Sequence, residues 1–431
     1  MNKKIKNPKP INLLAIIILM CMLSTSLFGQ LPFELHGFGE AGIGGRIADD
    51  PEEERTSLLE GRFQVDVSRE FDIAEFRLRA DLLYDHVADS YEIVIEEGKG
   101  FIDLREANIT FYPMELIDIK FGRQILTWGT GDMIFINDLF PKDWQSFFIG
   151  RDHEYLKAPS DGLRTSFFFD LINIDMVYIP NFDSDRFING ERISYWNNTL
   201  REISGQNAVT VADRPDKWFY DYEFALRIYK NIDSIELALY GYNGFWKSPN
   251  GMDRVNGLAI FPELNVIGAS ARGNILKGIG NFESGYYYSS DDNGGGNPFI
   301  RNSELRLLWG YERELLKELT LGIQYYLEHM LHYNTYKNNS LPGIPIKDEN
   351  RHLLTLRITR MALNQNLKLS LFIFCSPSDK DIYLRPNSNY KVTDSLAVEL
   401  GGNIFHGSHD YTFFGQFTNN DNFYVKAKYG F

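Results

Sequence analysis

The chain has 431 residues, a formal net charge of −14, and 14 % aromatic residues, including 24 Tyr and 32 Phe. So acidic a balance excludes nucleic acid as a partner. After the N-terminus no apolar run approaches the roughly 18 residues of a spanning helix, which excludes helical membrane spans.

Lys3, Lys4, Lys6 and Lys9 precede an apolar run at 11–23 and a small, polar exit at 24–29. This is a signal-peptide layout, too short for a spanning helix of about 20 residues. Cleavage after Gly29 is expected, so residues 1–29 form the signal and 30–431 one domain. Met20 stands where a small residue would precede a lipidated Cys21, which counts against a lipoprotein. Loss of the four signal lysines takes the net charge from −14 to −18 and leaves Cys375 as the remaining thiol. That excludes an intramolecular disulfide and a Cys/His metal framework.

Alternating segments then follow at 33–47, 56–69, 74–86, 102–112, 117–128, 161–170, 172–180, 217–230 and 233–246. Nine more run at 258–273, 279–290, 301–314, 318–331, 351–362, 367–376, 381–392, 395–406 and 422–431. In 74–86, Phe76, Leu78, Ala80, Leu82 and Tyr84 share one face, and Arg77, Arg79, Asp81 and Asp85 the other. Every second connection is short (70–73, 113–116, 171, 231–232, 274–278, 315–317, 364–366, 394). Most of the others are long (48–55, 87–101, 129–160, 181–216, 247–257, 291–300, 332–350, 407–421). Such segregation by parity is the pattern of a transmembrane antiparallel up-and-down β-barrel with short periplasmic turns and long extracellular loops. Eighteen strands are predicted, with sixteen as the alternative, and an even number places both termini on the periplasmic side. Much of the acid falls in expected loops, such as Asp49, Asp50 and Glu52–Glu54, then Asp89, Glu92, Glu96 and Glu97. These read as solvated loops, with divalent-cation bridging to the outer leaflet as the alternative.

Arg62, Arg77, Arg79, Arg164, Arg227, Arg306, Arg357 and Arg385 recur on the non-apolar faces. Barrel closure would gather them into one lumen, where guanidinium groups can pass anions along weak sites. The bland reading is that they brace the wall against Asp66, Asp81, Asp85, Glu106, Glu223 and Glu304. Loop 129–160 is long and rich in aromatics (Phe140, Trp144, Phe147 and Phe148), so it is expected to fold back into the lumen and narrow it. Its candidate constriction residues are Trp128, Asp132, Asp138, Trp144, Arg151, Asp152 and Glu154.

The run Phe121-Gly122-Arg123-Gln124-Ile125-Leu126-Thr127-Trp128-Gly129 resembles a "GRQ…WG" signature, carried by Gly122, Arg123, Gln124, Trp128 and Gly129. It occurs in a large family of porin-like outer-membrane proteins classed as a domain of unknown function. The tail from Phe414 to Lys426 resembles that family's end, and the final Phe431 resembles the assembly signal of bacterial outer-membrane proteins. The resemblance implies a porin-like barrel and, more loosely, movement of hydrophobic or carboxylated compounds. Arg123 departs from the pattern by falling on the apolar parity of its strand. A bulge near Gly122 would re-aim it inward.

Asp183, Asp185, Asn189 and Glu191 have the composition of a calcium loop, but Gly190 is misplaced for an EF-hand. The run 291–297 reads as a hairpin tip. His406 and His409 flank Ser408 without a Gly-x-Ser-x-Gly elbow, so no catalytic residue, metal or cofactor is expected. The expected function is a monomeric or weakly oligomeric channel for passive diffusion of small, possibly anionic or carboxylated solutes through the Gram-negative outer membrane. The alternatives are a carrier for hydrophobic compounds or lipids, or the outer-membrane part of an export system with a periplasmic or inner-membrane transport partner. Outer-membrane lipid, the barrel-assembly machinery and the small-molecule solute are the other expected partners.

Overall fold

The computed structural model describes residues 33–87 and 92–431. The expected signal at 1–29, Cys21 within it, and Asp89 of an acidic loop lie outside them. Eighteen antiparallel strands form a single closed sheet. In chain order they are β1 (Glu34–Arg46), β2 (Thr56–Phe71), β3 (Ala74–Asp85), β4 (Ile102–Met114), β5 (Ile117–Gln124) and β6 (Ser160–Phe168). Next come β7 (Asn173–Ile179), β8 (Glu223–Ile232), β9 (Ile235–Phe245), β10 (Glu263–Ile275), β11 (Gly278–Ser289) and β12 (Glu304–Leu316). The last are β13 (Leu319–Met330), β14 (Asn350–Ala362), β15 (Leu367–Ser376), β16 (Asp381–Lys391), β17 (Leu396–Gly407) and β18 (Asn422–Gly430).

Each strand pairs with its sequence neighbours, and β1 pairs with both β2 and β18, from Phe38↔Gly430 to Arg46↔Asn422. Phe431 completes that seam. Its backbone exchanges hydrogen bonds of 3.1 and 3.0 Å with Gly37, and its ring stacks on Phe63 at 5.5 Å. Closure leaves no unpaired edge, the condition for a sheet to lie in hydrocarbon.

Burial is inverted relative to a globular core. Ile267 is 72 % exposed and Phe121 64 %, whereas Asp81 and Glu283 are fully buried. Apolar side chains cover the outside of the wall, and charges face a lumen packed with loops. At one end the links are short, such as 72–73, 115–116 and 276–277. Leu276 and Lys277 both take positive φ (48° and 64°), as a two-residue type I′ hairpin demands. At the other end, residues 125–159 and 180–222 leave the wall for long excursions.

Three strand boundaries differ from expectation for local reasons. The strand predicted over 117–128 stops at Gln124, where Gly122 adopts φ +112° and the Gln124 amide bonds the carbonyls of Gly122 and Gly162. The strand predicted from 217 begins at Glu223, because the Asp221 carboxylate accepts from the Lys217 N–H and closes a turn. The strand predicted from 258 is interrupted before Glu263 at Pro262, which has no N–H to give to a ladder.

Candidate functional site

Loop 125–159 lies across the barrel and is tied to the wall around its circumference. Glu283 of β11 is its firmest anchor. That carboxylate accepts from the backbone N–H of Thr130, from the Gly131 N–H (2.7 Å), the Thr130 hydroxyl (2.9 Å), and the Asn137 N–H and side-chain amide (3.2 and 3.0 Å). Further round, Gln324 of β13 brackets Asp132 by accepting from its N–H and donating to its carbonyl. Arg357 of β14 binds the Asp132 carboxylate at 2.7 Å. The Tyr287 hydroxyl of β11 donates to the Ile136 carbonyl.

The opposite flank rests on an acidic ridge formed by Glu60, Asp81, Asp85 and Asp103 of β2, β3 and β4. Arg62 is held by Glu60 (2.8 Å) and Asp81 (2.5 Å) and lies over the Tyr155 ring of the loop at 4.1 Å. Tyr155 donates its hydroxyl to Asp81 at 2.6 Å, and Arg105 lies 4.8 Å from the same ring. Arg151, also from the loop, binds Glu60 (2.8 Å) and Asp85 (3.2 Å). The second excursion uses the same ridge: Arg186 binds Asp103 (2.8 Å) and Asp143 (3.3 Å), and Arg192 binds Asp85.

Arg105 faces inward because β4 carries one extra residue. The register steps from Arg79↔Glu106 to Ala80↔Leu104, so Arg105 and Glu106 both turn into the lumen, each nearly fully buried. Charges buried this deeply require partners: loop 125–159 gives Arg105 the Glu154 and Lys157 carbonyls, and Glu106 lies near Arg77, Arg79 and Lys120 of the wall.

The other arginines picked out from the sequence are also mostly neutralised. Arg77 and Arg79 share Asp66 at 2.8 Å, with Glu106 at 3.4 and 3.6 Å. Arg164 and Arg227 face Asp175 at 3.4 and 3.7 Å, and Arg227 also binds Glu236 at 2.6 Å. Arg306 binds Glu304 (2.7 Å) and Glu328 (3.8 Å). Glu223, expected to pair with arginine, takes Lys247 instead. Arg385 stands apart: it donates to the Arg151 carbonyl at 3.3 Å and lies over Phe147 at 4.6 Å, with no carboxylate partner among the described residues.

Within the loop, Trp128 packs edge-on against Phe140 at 5.0 Å, and Asp138 binds Lys142 at 2.9 Å and the Thr127 hydroxyl at 2.8 Å. Trp144 begins a short helix (Trp144–Ile149) capped by Asp143, and its indole N–H donates to Asp185 at 3.1 Å. Phe147 and Phe148 on that helix pack on Tyr383 of β16 at 5.9 and 5.5 Å, and Phe148 reaches Phe405 and Phe417 at 5.4 and 4.8 Å. Asp152 binds Lys428 of β18 at 3.1 Å, while Glu154 contributes its backbone carbonyl to Arg105 at 3.3 Å. In the GRQ…WG run, Arg123 is buried. The ladders on both sides of β5 pass through it in register, so the positive φ of Gly122 turns the chain without a bulge. Arg123 then binds Asp161 at 2.5 Å and the carbonyls of Leu104 and Ile95, both at 2.7 Å.

The calcium-like residues of the second loop are engaged by protein donors. Asp185 accepts from the Lys142 N–H (2.7 Å), the Trp144 indole and Ser248 (2.6 Å); Asp183 accepts from the Asp161 N–H (3.0 Å); Glu191 binds Lys99 (2.8 Å). No group of three or more potential metal ligands occurs among the described residues. At 292–297, Asp292 caps the backbone N–H groups of Gly296 and Asn297 as a hairpin tip does. Burial, with Glu223 alongside, pushes the Asp183 carboxyl up to about 7.

Toward the short-turn end, the loop roofs a cavity of about 310 Å³ whose lining includes the cations Lys157, Arg272 and Arg357, His153, and the carboxylates Asp132, Asp138, Glu283 and Glu312. Enclosure, together with the charge of Arg385, pushes the His153 imidazole down to about 4, so it is neutral near pH 7. Lys157 donates to the Thr127 hydroxyl at 2.8 Å; neither it nor Arg272 forms an ion pair with a carboxylate among the described residues. Glu283, Tyr155, Tyr287, Arg105, Arg186 and Arg192 were not singled out from the sequence. Only Arg105 left a local trace, in the break of alternation at Arg105-Glu106.

No family model and no curated protein matches the chain. Solved structures do share its fold. OccAB4 of Acinetobacter baumannii aligns with a TM-score of 0.55 at 10 % identity, covering 94 % of this chain and 99 % of that one. OccAB1 of the same organism gives 0.54 at 10 %, covering 92 % and 95 %. OccD3 (OpdP) of Pseudomonas aeruginosa gives 0.53 at 11 %, covering 93 % and 91 %. These similarities establish the architecture: the chain is a closed 18-stranded antiparallel barrel of the porin type.

Proposed function

We propose that this chain is an outer-membrane channel for passive diffusion of small hydrophilic solutes, with a preference for anions. The observation that carries the reading is the inside-out wall enclosing a polar cavity that loop 125–159 narrows without filling. The short turns and both ends of the described chain share one end of the barrel, which we place in the periplasm. Membrane lipid surrounds the apolar wall, and the assembly machinery is the expected partner of the Phe431 seam.

Selectivity on this reading does not come from all eight luminal arginines, because seven are held by carboxylates. It comes from cations with none: Lys157 and Arg272 in the cavity and Arg385 beside the loop. An ion-paired guanidinium presents little net field to a passing solute, whereas an unpaired one in a confined space presents most of its charge. Reversal potentials across planar bilayers under a salt gradient test this. Wild-type protein should favour chloride, and Lys157→Ala and Arg272→Ala should each move the reversal potential toward the cation side. Cation preference in the wild type, or potentials unmoved in both variants, would overturn it.

A further inference from the structure

The outer wall is not uniformly convex. Across β14 to β18 it holds an apolar groove of about 400 Å³ lined by Ile358, Leu369, Leu371, Pro386, Leu400 and Phe423, with Arg360 at one end. Its cause is local. Pro386 and Ser388 are the small outward-facing residues of β16, lying between the leucines of β15 and Leu400 of β17. Pro386 has no N–H, and pairing of β16 with β17 lapses from Leu384↔Ile404 to Asn387↔Gly401 before resuming in the same register. Phe423 crosses Gly402 so closely that a Cβ there would come within 2.6 Å of the ring, which forms the far bank.

The ends of the groove differ. Arg360 lies two residues before the end of β14 at the short-turn rim, and its Nη1 donates to the Lys317 carbonyl in the neighbouring turn at 3.1 Å. Arg313 shares the outward parity of Trp309 on β12 and is joined to Arg360 through the β13 residues Leu321 and Leu319. The rim thus gathers Arg313, Lys317 and Arg360, with Glu318 and Glu314, whose carboxylate accepts from the Glu318 N–H at 2.8 Å, as the acids of the same turn.

An apolar channel leading to a cationic rim matches one ligand chemistry. We infer that the groove is a specific site for one anionic phospholipid of the leaflet at the short-turn end, with an acyl chain along Leu369, Leu371, Leu400 and Phe423 and the phosphodiester at Arg360. This rests on the reading of the barrel as membrane-spanning. Burial of chain methylenes supplies affinity, and the guanidinium fork supplies headgroup selectivity.

Native mass spectrometry of the full-length mature barrel, released from micelles with palmitoyl-oleoyl phosphatidylglycerol added at increasing ratio, provides the test. One lipid should persist per barrel at collision energies that strip the rest, and diacylglycerol of the same chains should not. Ser388→Phe, which fills the groove from an outward position, should abolish retention. Arg360→Ala should weaken it about tenfold, equivalent to roughly 1.4 kcal/mol, while neither variant alters single-channel conductance. Retention unchanged in both variants, or a groove covered by a second copy of the chain as shown by a dimer that Ser388→Phe dissociates, would overturn the inference. A barrel that fails to insert or conduct would overturn the channel reading instead, so the two failures are distinguishable.

Discussion

Glu283 is where one substitution should most change the aperture. Its two carboxylate oxygens hold Thr130 and Gly131 on one side and Asn137 on the other, so a single side chain pins both ends of the segment crossing the cavity. In Glu283→Ala the Thr130 and Gly131 donors, which line the cavity, can turn to water. The Asn137 N–H and amide are buried and cannot do so fully. Leaving such donors unmet costs about 1–3 kcal/mol each, so about 4 kcal/mol is expected for the pair. That corresponds to a roughly thousandfold rise in the detached population of segment 129–138. The residues near 151–157 should stay docked, because Tyr155 and Arg151 are held independently by Asp81, Glu60 and Asp85. Single-channel recordings should therefore show larger conductance and more open-channel noise in Glu283→Ala. Glu283→Gln, with one acceptor oxygen left, should be intermediate. Wild-type conductance and noise in a folded Glu283→Ala barrel would refute the claim that this carboxylate sets the aperture.

Asp183→Asn should remove a pH dependence. The native carboxyl, raised to about 7 by burial, binds more protons than the unfolded one between about pH 4 and 7, so its contribution falls as pH rises through that window and levels off above it. Protection factors of residues 181–187, which correct for the intrinsic rise of amide exchange with pH, should fall over that window in the wild type and not in Asp183→Asn; equal profiles would refute this. Gly122→Ala should lower thermal stability by about 3 kcal/mol or more, because φ is +112° and a Cβ would sit 2.4 Å from the Ala107 carbonyl; an unchanged melting profile on gel-shift analysis would contradict it. Deleting Phe431 removes both backbone bonds to Gly37 and the Phe63 contact, whereas Phe431→Ala removes only the ring. Yield of heat-modifiable barrel should fall most for the deletion, and equal yields would count against the seam.

The wall was legible because strand alternation is a local property. In β3, Phe76, Leu82 and Tyr84 emerge on the outside and Asp81 and Asp85 inside, as their spacing requires. The shift at Arg105-Glu106 is also written locally, as two consecutive polar residues between apolar runs of opposite parity. The second excursion could not be read in the same way. Arg186 and Arg192 resemble ordinary loop arginines until closure brings Asp103 and Asp85, far away in sequence, to their side chains. Nor does the sequence reveal that Asp183 and Asp185 are spent on backbone and indole donors, since composition alone fits a cation loop equally well.

The distribution of charge then explains why the loops stay inside. The arginine recurrence on the wall suggested a cationic lumen, yet five of the buried wall charges that meet the loops are acids, Glu60, Asp81, Asp85, Asp103 and Glu283, beside the buried cations Arg62 and Arg105. The cations that answer them come largely from the excursions, as Arg151, Arg186 and Arg192, with Glu283 answered by N–H groups. Withdrawing a loop would strand several carboxylates at once, so the inward position is favoured by charge matching as well as by the Phe147 and Phe148 contacts. Arg77 and Arg79, paired with Asp66 of the neighbouring strand, take no part in that docking and brace the wall. What remains for a solute is the small set of cations that neither role consumes. On the proposed channel reading, the field in the cavity would therefore follow Lys157, Arg272 and Arg385, set against Glu312, and not the number of arginines in the barrel.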